Sequence, residues 1–167
     1  SAAVERLRGM GISVAVGHTA QDIEGAEFLI RTAAIHDDNP EIAAARARNI
    51  PVFERAEAWG AIMQQYENAV CIAGTHGKTT TTSMTTHIFM AAHADPTVMI
   101  GGTLPMLHSG YRVGKGETII LESCEYCNSF LHFFPTVAVV LNVEEDHLDF
   151  FKNLDDIKAS FRKFAQL

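Results

Sequence analysis

The stretch Gly74-Thr75-His76-Gly77-Lys78-Thr79-Thr80 has residue types and spacing suited to holding phosphate. A nucleoside triphosphate needs several backbone N–H groups converging on its oxygens, and glycines let a loop turn tightly enough to present them at a helix start. Gly74 and Gly77 supply that freedom, Lys78 adds a mobile cation for the terminal phosphates, and the Thr79 hydroxyl can take one coordination position of Mg²⁺. ATP and Mg²⁺ are therefore the expected ligands of Gly74 to Thr80. The common form of this motif places four residues between its glycines, whereas here only Thr75 and His76 intervene. A chance Gly-Lys-Thr in a turn is the plainer alternative; an apolar run before it and a helical pattern after it argue against that.

Mg²⁺ prefers oxygen ligands, so a carboxylate near a strand end is the expected partner of the loop. Glu122 and Glu125 both follow the apolar run Thr118 to Leu121 and are the candidates. His147 lies in an Asp-His-Leu-Asp cluster after another apolar run, where α/β sheets gather ligand-binding groups; Asn142 and Asp146 beside it are weaker candidates for holding substrate or metal-bound water. A hydrogen-bonded structural role is the alternative for His147. His18, beside Gly17, follows an expected strand, and a plain surface histidine is an equal alternative there. Cys124 and Cys127 have the Cys-x-x-Cys spacing of redox and zinc motifs, but no second such pair completes a zinc tetrad.

These residues must be positioned by an α/β architecture, because short apolar runs alternate with longer amphipathic stretches throughout. Strands are expected at Ile12 to Val16, Phe28 to Thr32, Pro51 to Phe53, Ala69 to Ala73, Thr97 to Ile100, Thr118 to Leu121 and Thr136 to Asn142, the last of central-strand type. Helices are expected over Ala2 to Met10, Pro40 to Arg48 with Asn39 as cap, Arg55 to Tyr66, Lys78 to Ala92 and Asp155 to Leu167. Glu67-Asn68 is a plausible hinge, dividing the chain into residues 1–67 and 68–167.

The chain has 167 residues, of which 47% are hydrophobic and 20% charged, a globular composition. Its formal charge of −7 argues against nucleic acid or an anionic membrane as the main partner. No apolar run approaches a membrane span and the first residues carry no signal-peptide segment. A cytoplasmic location is expected, and the odd set of three cysteines fits a reducing compartment. No feature of the sequence specifies an oligomeric state.

Gly74 to Thr82, Gly-Thr-His-Gly-Lys-Thr-Thr-Thr-Thr, resembles the ATP loop of the Mur ligases, Gly-Thr-x-Gly-Lys-Thr. The resemblance runs the length of the chain through Gly17-His18, Asp38-Asn39-Pro40-Glu41, Arg55-Ala56-Glu57, Ile100-Gly101-Gly102 and Leu141-Asn142-Val143-Glu144-Glu145-Asp146-His147-Leu148-Asp149. It implies a partial Rossmann-like N-terminal domain for a UDP-linked substrate, then part of a P-loop-type central ATPase domain with a mostly parallel sheet. It also implies ATP-driven amide formation through an acyl phosphate, in the making of peptidoglycan precursors. Histidine at the variable loop position is typical of the branch that joins L-alanine to UDP-N-acetylmuramate, and of the murein-peptide recycling branch, which attaches a tripeptide. A non-catalytic ATP-binding module is the alternative from another class. The family pattern selects Glu125 over Glu122 as metal ligand, gives His147 a second metal site and puts His18 at the UDP end of the substrate. The more familiar members carry Asp where this chain has Cys124 and Cys127. The family's Gly-rich first turn and its amino-acid-binding third domain have no counterpart between Ser1 and Leu167, so this segment alone is expected to be inactive and poorly soluble.

Overall fold

The computed structural model describes residues 2–167. The chain forms two compact units, Ser1–Arg55 and Ala56–Leu167. In the first, α1 (Ala2–Gly9) is followed by an irregular stretch, β1 (Leu29–Arg31), α2 (Pro40–Ala47) and β2 (Val52–Glu54). β1 and β2 pair in parallel with Ile30 opposite Phe53. Asn39 accepts the Glu41 N–H at 3.0 Å, and Pro40 occupies the first turn of α2, where its missing N–H costs nothing. The buried core of this unit is Ile23, Ile42 and Ala45.

The expected strand Ile12 to Val16 is not one. It has the alternation of a strand but pairs with no other strand among the described residues, and Val16 is 86% exposed. Alternation favours a strand only where a partner edge completes the hydrogen bonds.

The second unit holds α3 (Arg55–Met63, beginning at the boundary residue), β3 (Asn68–Ala73), α4 (Lys78–Ala91), β4 (Thr97–Leu104), β5 (Ser109–Arg112), β6 (Thr118–Glu122), β7 (Val137–Val140) and α5 (Leu154–Phe164). The sheet order is β5-β4-β6-β3-β7. β4, β6, β3 and β7 run parallel, and only β5 is antiparallel, on β4. β5 was not expected: Ser109-Gly110-Tyr111-Arg112 carries no strand pattern of its own and is held by the ladder to β4. β7 lies at an edge rather than in the centre, with Val137 and Val140 exposed.

β3 is apolar at every position after Asn68 because both faces of the sheet are covered. Ala69, Cys71 and Ala73 point into a cluster with Ile119, Leu121, Phe130, Phe161 and Phe164, whereas Ile72 joins Val98, Ile100 and Ile120 on the other face. α5 buries Ile157, Phe161 and Phe164 at one-turn spacing, and Phe164 stacks on Phe130 at 4.6 Å. The threonine-rich α4 is compatible with a helix because Thr82, Thr85 and Thr86 return their hydroxyls to carbonyls four residues back, at 2.8–2.9 Å. Among the described residues no helix is long and apolar enough to cross a membrane.

Candidate active site

β6, β3 and β7 are parallel neighbours, so the loops at their carboxyl ends meet at one edge of the sheet. The loop after β3 is the glycine-rich stretch, the loop after β6 carries Glu125, and the loop after β7 carries Asn142, Asp146 and His147.

The glycines are required by geometry. Gly77 has φ of 84° and caps α4, while Gly74 has φ of 146° and a Cβ there would stand 3.0 Å from the Leu141 Cβ. Gly74 and Thr75 are buried, whereas His76, Gly77, Thr79 and Thr80 face solvent. The first-turn amides of Lys78, Thr79 and Thr80 have no carbonyl of their own helix to reach, and they point where an anion would be met by the helix dipole. Asn142 fixes the far side of the loop. Its side chain accepts the His76 N–H at 2.8 Å and donates to the His76 carbonyl at 3.0 Å, while its own carbonyl accepts the Thr75 N–H at 3.1 Å. The Thr75 hydroxyl adds a contact by accepting the Glu144 N–H at 2.9 Å.

Lys78 and Glu125 form the centre of the site. The ammonium donates to Glu125 at 2.9 Å and also to the carbonyls of Gly74 and Thr75. The side chains of Glu125 and Lys78 are 2% and 12% exposed, so this is a desolvated ion pair. His147 Nε2 lies 3.8 Å from Glu125 Oε1, and ligand atoms of Glu125, Asp146 and His147 all fall within 4.8 Å of one another. His147 itself has φ of 51°, a left-handed conformation, with its N–H accepted by Asp146 at 2.7 Å. Glu122 behaves differently from Glu125. It accepts the Thr79 hydroxyl at 3.0 Å and the Gly101 N–H at 2.7 Å, so Glu122 pairs with Thr79 and Glu125 with Lys78.

Tyr126 lies beside this site although its sequence context gave no sign of it, together with Asp149, the last residue of the Asp-His-Leu-Asp cluster. The Tyr126 ring lies 4.8 Å from the His147 ring, and its hydroxyl donates to Asp149 at 2.9 Å. That hydrogen bond, with the nearby charge of Asp149, holds the phenol above its ordinary value, so it remains a donor. Cys124 and Cys127 are free thiols, and Cys127 sits at φ of 54°. Desolvation raises the Cys124 thiol above its usual range despite a backbone N–H from Tyr126, and the charge of Glu125 raises it further.

His18 lies in the first unit, where its Nδ1 meets Glu41 at 2.7 Å. Near the end of β1, Arg31 donates to Asp37 at 2.7 Å and to Glu54 at 2.9 Å, and Arg46 reaches the same Asp37 oxygen.

A parallel sheet feeding a two-glycine loop into a helix, with a buried lysine–carboxylate pair beside it, defines an α/β protein with a phosphate-loop domain. Residues 72–167 match the model of the Mur ligase middle domain and residues 1–67 that of the Mur ligase family, catalytic domain. The chain belongs to the Mur ligase family.

Over 160 residues it is 51% identical to the UDP-N-acetylmuramate–L-alanine ligase of Agathobacter rectalis, covering 95% of this chain and 35% of that protein. The enzyme of the same name from Clostridium botulinum is 45% identical over 163 residues, 98% of this chain and 36% of the relative. The chain thus spans about a third of the length of these relatives. The structure of UDP-N-acetylmuramate-alanine ligase MurC from Thermotoga maritima superposes with a TM-score of 0.86 at 32% identity, covering 96% of this chain and 38% of that one. UDP-N-acetylmuramate:L-alanyl-gamma-D-glutamyl-meso-diaminopimelate ligase of Neisseria meningitides shares the fold, with a TM-score of 0.86 at 24% identity over 97% of this chain and 56% of its own.

Proposed function

We propose that these residues are the substrate-binding and ATP-binding parts of a cytoplasmic UDP-N-acetylmuramate:L-alanine ligase acting in peptidoglycan precursor synthesis. On this reading residues 1–67 serve the UDP-linked substrate, with His18 at its UDP end, and residues 68–167 serve ATP. The observation that carries the reaction class is Lys78 at 2.9 Å from the buried Glu125, beside exposed amides at the start of α4. The choice of L-alanine rests on the 45–51% identity to relatives of that name.

In the reaction, a carboxylate oxygen of UDP-N-acetylmuramate attacks the γ-phosphorus of ATP, the bond to the bridging β-γ oxygen breaks, and ADP leaves. The acyl phosphate so formed is attacked at its carbonyl carbon by the amine of L-alanine. A tetrahedral intermediate follows, phosphate departs, the amine loses a proton and the amide remains. Phosphoryl transfer of this kind is governed by positioning and charge neutralisation. Gly74 to Thr80 would bind the ATP phosphates through backbone N–H groups, and Lys78, released from the carbonyls of Gly74 and Thr75, would meet the transferred phosphoryl group. Asn142 keeps the loop in its curvature through His76 and Thr75 and, on this reading, would also meet substrate.

The donor set suits Mg²⁺, since Glu125 and Asp146 offer carboxylate oxygens close to one another, and the Thr79 hydroxyl, here directed to Glu122, would turn to the ion. Thr79 and Glu125 would hold the ion, with His147 at a second position. Mg²⁺ supplies neutralisation of the phosphate oxygens when bound. His147, turned toward Glu125, limits where that carboxylate can lie.

The test is phosphate release by the full-length protein given ATP, Mg²⁺, UDP-N-acetylmuramate and either L-alanine or the tripeptide. Release with L-alanine is expected. Release with the tripeptide alone would transfer the assignment to the recycling ligase, and release with neither would leave an ATP-binding module without this chemistry.

A further inference from the structure

Glu125 and His147 come from different loops, and neither loop is regular where they lie. The backbone at Cys127, Asn128 and His147 is left-handed, with φ of 54°, 56° and 51°. Their relative placement therefore needs a specific cross-link between the loops. Among the described residues, the side chain that bridges them beside Glu125 is Tyr126. It follows Glu125 directly, its ring lies 4.8 Å from that of His147 at an interplanar angle of 40°, and its hydroxyl donates to Asp149, two residues beyond His147, at 2.9 Å. Phe150 supports the same ring edge-on at 6.0 Å. The His147 carbonyl accepts the N–H groups of Phe150 and Phe151, both at 2.9 Å, so the turn carrying Asp149 is itself fixed to His147.

We propose that Tyr126 is a positioning residue, whose ring, tethered through Asp149, holds the His147 imidazole facing Glu125 in the geometry that the phosphoryl-transfer site requires. The proposal rests on Glu125 and His147 being part of that site. Two anchor points make the ring stiff. The tilted ring contact restricts the plane of the imidazole, and the phenol–carboxylate hydrogen bond sets the distance between the two loops. Tyr126 acts through His147 and need not touch substrate. A misplacement of about 1 Å at such a site costs up to about a hundredfold in rate, which makes the effect measurable.

The test uses the full-length protein with Tyr126→Phe, Tyr126→Leu, Asp149→Asn, His147→Ala and the Tyr126→Leu/His147→Ala double variant. Tyr126→Leu is expected to lower kcat about tenfold or more, with KM for ATP within about twofold of wild type. Tyr126→Phe, which keeps the ring and loses the tether, is expected to fall between Tyr126→Leu and wild type, and Asp149→Asn, whose neutral amide oxygen still accepts from the phenol and so only weakens the tether, between Tyr126→Phe and wild type. The double variant is expected to be no slower than His147→Ala, because the tyrosine acts through the histidine. Independently of turnover, the His147 ring-proton NMR signal should shift in Tyr126→Leu with loss of the tyrosine ring current.

Additive losses in the double variant, or an unmoved His147 signal with unchanged kcat in Tyr126→Leu, would overturn the positioning role. If His147→Ala itself has wild-type kcat, the reading of the site fails instead. Should Tyr126→Leu not fold, Tyr126→Phe and Asp149→Asn decide the matter, and wild-type kcat in both overturns the proposal.

Discussion

Asn142 holds His76 by both of its backbone polar groups, accepting the N–H at 2.8 Å and donating to the carbonyl at 3.0 Å. A residue in the loop after β7 thereby sets the curvature of a loop that lies 66 residues earlier in the chain. The phosphate loop depends on two strands, since β3 delivers it and β7 holds it open.

Replacing Asn142 by Ala removes both hydrogen bonds to His76, at an exposed position where water can take their place, at a net cost of about 0.5–1.5 kcal/mol. KM for ATP in the full-length protein is expected to rise by up to about tenfold, with the rest of the fold preserved. Asn142→Asp, which can still accept but no longer donate, should fall between the two. Binding of a fluorescent ADP analogue to the three proteins measures this, and wild-type affinity in Asn142→Ala would remove the clamp from the account.

Lys78→Ala strands Glu125, a carboxylate with a 2% exposed side chain, and is expected to cost about 3 kcal/mol of stability as well as nearly all activity. Lys78→Met combined with Glu125→Gln removes both charges. That double variant should melt higher than Lys78→Ala yet remain inactive, which separates the stabilising from the chemical role of the pair. Thermal melts and turnover of the three proteins provide the comparison.

In the first unit, the hydrogen bond from Arg31 and the charge of Arg46 hold the Asp37 carboxyl below the ordinary carboxylate value. A lowered folded value means that the contribution to stability is fully present above the unfolded value, near pH 4, and is lost as pH falls through the lower folded value. Once corrected for its intrinsic slowing in acid, hydrogen exchange at the β1 amides is therefore expected to accelerate as pH falls for wild type. In Asp37→Asn it should already be faster at pH 7 and change less on acidification.

The local features of the site were legible in the sequence because their chemistry is local. An apolar run, two glycines and Lys78-Thr79 specify a strand, a turn and a helix start within a dozen residues. His147 and the pair Glu122 and Glu125 were reached through strand ends, the family pattern alone chose Glu125 of the two, and the sheet order β6-β3-β7 explains why those ends converge. What the sequence concealed is what depends on partners. β5 exists through its ladder to β4, Ile12 to Val16 has the pattern of a strand without one beside it among the described residues, and β7 has a central-strand composition at an edge. Tyr126 and His147 are 21 residues apart, and only the adjacency of their two loops brings the rings together. The division between Glu122 at Thr79 and Glu125 at Lys78 likewise follows from position, since Glu122 ends β6 and Glu125 lies in the loop beyond it.

The central claim is that the carboxylate of UDP-N-acetylmuramate is activated by phosphoryl transfer at Lys78 and Glu125. The most direct measurement supplies the full-length protein with that substrate labelled with ¹⁸O in its carboxylate, together with ATP, Mg²⁺ and L-alanine, and analyses the released phosphate by mass spectrometry. An acyl phosphate predicts one labelled oxygen in each phosphate released. Amide formation with unlabelled phosphate would contradict it.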